Sequence, residues 1–213
     1  MNIIEKILGK ASRREEVRPG EIVEAEIKSA MIPDITGPIA VQSWRKLEEA
    51  KVWDPDRVVV IFDHFLPLPT EQAASLQKMM RGFVDEQGIR SFYYVGRGGI
   101  CHQVMPEKGH VHPGDVIVGA DSHTCTYGAF GAFSTGIGST EMAAVFAIGR
   151  LWFKVPRTIK INVNDSFAPS VMSKDLILHI LAKLGVSGAN YRGMEFTGQA
   201  IEDMSTSGRM TGS

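Results

Sequence analysis

The apolar residues of this chain fall into short β-branched runs separated by longer stretches of helical spacing. Arg57 to Phe62 reads RVVVIF, and β-branched density over so short a run predicts a buried strand. SFYYV, from Ser91, predicts a second strand, and DVIVGA, after the Pro113-Gly114 turn, a third. A helix is predicted to begin at Pro38, a favoured first helical residue, and to run through Trp44 and Leu47. Thr70 to Gln87 reads as another, with Thr70 as N-cap and Gly88 past its end. Ser139 is expected to cap a helix that buries Met142, Val145 and Phe146 and stops at Gly149. Beyond Pro156, RTIKINV predicts a strand, and Ser173 to Gly185 a helix burying Leu176, Ile177, Ile180, Leu181 and Leu184. MEFTG predicts a further strand. At the N-terminus, Ile3, Ile4, Ile7 and Leu8 sit at helical spacing with charges between, unlike the continuous apolar region of a signal peptide.

Strands alternating with helices predict an α/β fold, layered α/β/α with a largely parallel sheet. A boundary is expected near Pro156, giving a first domain over 1–156 and an incomplete second α/β subdomain over 157–213. In such sheets ligands sit beyond the carboxyl ends of the strands. Two predicted strands end alike: VVVIF runs into Asp63-His64, and VIVGA into Asp121-Ser122-His123. A carboxylate beside an imidazole orients it and suits it to acid work near neutrality. Asp and His at strand ends also cap following helices, which is the structural reading of either set alone. Two sets at equivalent positions favour a functional reading.

Composition narrows the classes. The chain has 213 residues, 44% hydrophobic and 22% charged, the balance of a globular domain. Its formal net charge of -1 creates no overall field for nucleic acid or acidic lipid. No apolar run approaches the roughly 20 residues of a bilayer span, so no membrane partner and a cytoplasmic location are expected. The 22 glycines concentrate between Gly96 and Gly149, as at a ligand site. The two cysteines, Cys101 and Cys125, match neither a disulfide framework nor a zinc spacing.

Other residues remain open between roles. His102 follows RGGIC, where Gly98 and Gly99 allow a tight bend; it reads either as an inward-aimed imidazole or as a turn residue. Ser122 suits a substrate carboxylate or a helix cap. His110 and His112 form His-x-His in a loop between turns, and His179 lies mid-helix among leucines. GAFGAFSTGIGST is no phosphate loop, because no Lys follows Gly136; the helix start at Ser139 can still face an anion. A zinc hydrolase built on His64, His102, Asp121 and His123 has the right ligand types but no zinc spacing.

The segment GICHQVMPEKGHVHPGDVIVGADSHTCTYGAFGAFSTGIGSTEMA resembles the large subunits of 3-isopropylmalate dehydratase and homoaconitase, in the aconitase superfamily. VVVIFDHFLP and GRLWFKVPRTIKINV fit the same template, and the likeness runs to about Thr211. The resemblance implies an aconitase-like fold and a hydro-lyase: a 2-hydroxy di- or tricarboxylate loses water and regains it at the neighbouring carbon, as 2-isopropylmalate becomes 3-isopropylmalate. It implies a 4Fe–4S cluster whose uncoordinated iron is the Lewis acid. By matching position, Asp63 and His64 correspond to the dyad that protonates the departing hydroxyl, and His102 to a histidine near bound water. Asp121 and His123 correspond to the pair around hydroxyl and water, and Ser122 to a substrate-binding residue. The resemblance also implies a separate small subunit that carries the base, a serine, and most of the substrate selectivity.

Three departures from the template stand out. The family's cluster cysteines lie in a Ser-Cys-Thr-Asn segment and a Cys-x-x-Cys segment, and neither occurs here. The likeness stops at GRMT, with Gly212-Ser213 resembling a cloning scar. Pro33 stands where the family usually places His or Gln, and it has no side-chain donor. The expectation is a truncated large subunit that holds no cluster and is inactive alone. A binding role is the alternative, through association with the small subunit or with itself over uncovered apolar surface.

Overall fold

The computed structural model describes residues 1–48 and 51–211; Gly212-Ser213 lie outside them. At its centre is a five-stranded, wholly parallel sheet. Its strands are β2 (Ser29–Pro33), β3 (Val58–Ile61), β4 (Ser91–Tyr93), β5 (Val116–Gly119) and β6 (Phe133–Gly136), after an N-terminal β1 (Ile22–Glu26) outside this sheet. The spatial order is β4-β3-β2-β5-β6. The chain winds outward from β2 through β3 to β4, then crosses back to the other side of β2. Register brings Pro33 level with Ile61, Ile61 with Tyr93, Met31 with Gly119, and Gly119 with Gly136. All five carboxyl ends therefore lie along one edge, and the reversal of strand order falls between β2 and β5, where such sheets open a crevice.

Side-chain alternation along the strands builds two apolar layers. Val58, Val60 and Phe62 join Ile32 and Val118 on one face, and Val59, Ile61, Met31 and Ile117 line the other. The first face is covered by α2 (Gly37–Arg45), α3 (Glu71–Gln87) and α5 (Ser139–Ile148), after an N-terminal α1 (Ile3–Ala11). Here Trp44 meets Phe83 edge-on with ring centres 5.4 Å apart, and Phe83 lies 5.6 Å from Phe146. The second face is covered by the short α4 (Cys101–Glu107) and a 3₁₀ segment (Thr124–Phe130), through Val104, Met105 and Tyr127. Helix ends follow the expected chemistry at α3: Thr70 Oγ1 accepts the Ala73 amide, and Gly88 closes the helix in the left-handed conformation. At α5 the N-cap is Gly138 and Ser139 is already helical; the Glu141 carboxylate, not an external anion, lies against Gly138.

Beyond α5, β7 (Arg150–Lys154) pairs antiparallel with β1, and β8 (Arg157–Asn162) changes partner, pairing in parallel with β9 (Arg192–Thr197). Between β8 and β9 runs α6 (Ser173–Leu184), with α7 (Gln199–Glu202) and α8 (Thr206–Thr211) following. Only Ile180 of α6 is buried; Leu176 and Ile177 are half-buried, and Leu181 and Leu184 are exposed. The expected five-residue buried stripe is therefore cut to its central part. Leu178 of α6 is exposed as well. Asn2 caps α1 through the Glu5 amide and also reaches Thr158 Oγ1 on β8 at 3.0 Å.

Candidate active site

Three strands end in an acid at the same edge: β2 in Asp34, β3 in Asp63 after Phe62, and β5 in Asp121 after Ala120. Each carboxylate receives backbone amides as well as side chains. Asp63 Oδ1 lies 2.7 Å from His64 Nδ1, and its Oδ2 accepts the Cys101 amide at 2.7 Å. That amide opens α4, so Asp63 meets one of the unpaired donors at the helix start from a distant loop. Asp121 Oδ1 accepts the His123 amide at 2.6 Å and lies 2.7 Å from His102 Nε2. Capping and imidazole pairing thus coexist in both acids.

The two sets meet through consecutive residues of α4. Cys101 is tied to Asp63 and His102 to Asp121, so the sequence distance between residues 63 and 121 closes over one peptide unit. His102 is the second residue of a helix, not a turn residue; its Nδ1 faces the Tyr127 hydroxyl at 3.0 Å. Burial pushes the Tyr127 hydroxyl far up, with further contributions from Cys101, Asp121 and Asp63, so it stays protonated beside Nδ1. Burial likewise pushes the Cys101 thiol up, reinforced by Asp63 and Asp121. The same two carboxylates reach both groups, as expected of a single acidic field.

The outward face of this cluster is accessible. The side chain of His64 is 36% exposed and that of His123 is 80%, against 8% for Asp63 and 10% for Asp121. Ser122 is exposed, with Oγ 3.2 Å from His123 Nδ1, and the His102 and His123 ring centres lie 6.1 Å apart. Largely covered carboxylates thus back more exposed imidazoles, an arrangement suited to proton transfer. Loop geometry depends on glycine at two points. A Cβ at Gly136 would overlap the Asp121 carbonyl oxygen, and one at Gly119 would overlap Thr124 Oγ1.

The zinc reading's His102, Asp121 and His123 form one trio, whereas its His64 falls in another with Asp34 and Asp63, each with ligand atoms within 4.8 Å. Their inner members are already engaged by protein: both ring nitrogens of His102 and both oxygens of Asp34 have partners. His110 pairs with the Tyr93 hydroxyl at 2.8 Å, His112 faces Asp115, and His179 is exposed; none joins the cluster. Sequence reasoning missed Asp34 and Tyr127. For Asp34 the signal was present, since AMIPD ends as VVVIFD and VIVGAD do. Tyr127 carries no such mark.

The chain is 54% identical over 210 residues to a protein of Methanothermobacter thermautotrophicus named probable 3-isopropylmalate dehydratase large subunit, covering 99% of this chain and 50% of the relative. It is 53% identical over 215 residues, with the same coverages, to that organism's probable methanogen homoaconitase large subunit. A 3-isopropylmalate dehydratase large subunit of Moorella thermoacetica is 49% identical over 211 residues, again at 99% and 50%. The chain thus spans about half the length of the curated relatives it matches. The family described as aconitase (aconitate hydratase) matches residues 5–213, and the chain belongs to the aconitase family.

Proposed function

We propose that this chain forms the acid-bearing half of the large subunit of a hydro-lyase that interconverts 2-hydroxy di- or tricarboxylates by dehydration and rehydration. The observation that supports this most is the joining of Asp63–His64 and Asp121–His123 through Cys101 and His102 at one sheet edge. A departing hydroxide is a poor leaving group and needs a proton as the carbon–oxygen bond breaks. His64, oriented by Asp63 and open to solvent, donates that proton; in the reverse direction it takes one from the incoming water. His102, held on both nitrogens, and His123 bound the place where the hydroxyl and water sit. Ser122 Oγ offers a hydrogen bond to a substrate carboxylate.

The aconitase family implies a 4Fe–4S cluster in full-length members. The two thiols here do not fit as its ligands. Cys101 is buried, with its thiol pushed up by burial and by Asp63, which disfavours the thiolate a cluster takes, and Cys125 is exposed as a lone second thiol. The carbon-bound proton is removed by a base outside this chain, on the small subunit that the relatives' names imply.

The relatives carry two substrate names at 54% and 53% identity, so the hydroxy acid is proposed as a class. The test is the assembled large and small subunits given 2-isopropylmalate and, separately, homocitrate, with the alkene acid followed by its ultraviolet absorbance. Formation of one unsaturated acid is expected; no alkene from either substrate would sink the proposal.

A further inference from the structure

We propose that Asp34 is the positioning residue of this site, gripping the loop that carries Asp63 and His64; the inference rests on the function proposed above. Asp34 is fully buried at 0% exposure, yet it is ionisable and touches no solvent. Both of its oxygens are occupied. Oδ1 accepts the Asp63 and His64 amides at 3.2 and 3.0 Å, and Oδ2 accepts the Phe65 amide at 3.0 Å and Gln77 Nε2 at 2.9 Å. Gln77, itself buried on α3, also donates to the Phe65 carbonyl at 3.3 Å. Three consecutive amides converging on one carboxylate fix the path of the chain where it leaves β3. That path aims the Asp63 carboxylate at the Cys101 amide and the His64 ring away from the core.

The same short segment reaches the other loop. Two residues on, the Thr36 hydroxyl donates to the Ala120 carbonyl, directly before Asp121. The stretch between β2 and α2 therefore holds both acid–imidazole loops from the point where the strand order reverses. Pro33, which lacks a side-chain donor, is level with Ile61 in the sheet and delivers Asp34 to this point. Charge-assisted bonds of this type are the strong ones, and a site held by them is preorganised before substrate arrives.

The test is amide hydrogen exchange of the 213-residue chain and its Asp34→Asn variant, followed by NMR. Asparagine keeps the volume but turns one acceptor into a donor facing donors. The Asp63, His64 and Phe65 amides are expected to exchange at least about tenfold faster, with β5 and α5 unchanged. Unchanged exchange at residues 63–65 would overturn the grip, and equal acceleration throughout would reduce Asp34 to general stability. If the variant does not fold, Gln77→Met, which removes one donor, should speed exchange at Phe65 selectively; no change there overturns the grip. In the assembled enzyme, Asp34→Asn should lower kcat about tenfold or more with KM unchanged. Wild-type kcat alongside altered exchange removes the positioning role and leaves the proposed reaction standing. A wild-type assembly without turnover sinks the reaction alone, and exchange still decides the grip.

Discussion

Asp63 and Asp121 each bind an amide and an imidazole, and that double duty sets what single substitutions do. Replacing either acid removes a cap and a proton partner together, so the histidines are the cleaner probes of chemistry. Tyr127 is a second probe, because its hydroxyl meets the site at His102 Nδ1. Tyr127→Phe is expected to cost about 1 kcal/mol by leaving that nitrogen without its partner, read as a lowered urea midpoint at unchanged m-value. A midpoint equal to wild type contradicts the bond. His110 gives a pH signature away from the site. Burial, then neighbouring His112, holds its pKa below the ordinary histidine value. The unfolded chain therefore binds more protons as pH falls below about 6.5, and stability drops with it until the folded imidazole also protonates. Thermal melts from pH 7.5 to 5 should show His110→Gln losing less stability than wild type over that window. Parallel curves would show that burial of this imidazole carries no pH cost.

At the scale of elements, the legible parts of the fold were those whose own residues specify them. Val58 to Ile61 and Val116 to Val118 are β-branched runs, and α3 has its cap and its glycine stop in sequence. The missed elements depend on partners far along the chain. SAMIP and FSTG have weak strand character and become β2 and β6 by pairing with β3 and β5. CHQVMPE contains a proline and forms α4 with its first amide held by Asp63. Two of the site's three acids were visible because legible strands deliver them. Asp34 shows the same strand-end pattern but was missed along with the weak strand β2. The close approach of β6 to the Asp121 loop makes a sharp prediction. Gly136→Ala forces a methyl onto the Asp121 carbonyl and is expected to cost about 1–3 kcal/mol in chemical denaturation. A loss below about 0.5 kcal/mol would mean that the loop is not packed there as described.

For the whole molecule, the decisive feature is that one sheet edge gathers three acids and three imidazoles. Among the described residues no helix is long and apolar enough to cross a membrane. Exposed Leu181, Leu184 and Trp152 leave apolar surface on the second subdomain proposed beyond Pro156 and on β7. The boundary at Pro156 is offered on the change of strand partner between β7 and β8. The central claim is that the acid–imidazole sets act as one site. It is tested most directly by turnover of the assembled enzyme in a double-mutant cycle of His64→Ala and His102→Ala. Each single change is expected to lower kcat about a hundredfold or more, and the pair little further than the worse single. Wild-type turnover in either single variant, or losses that multiply in the pair, would contradict a shared site.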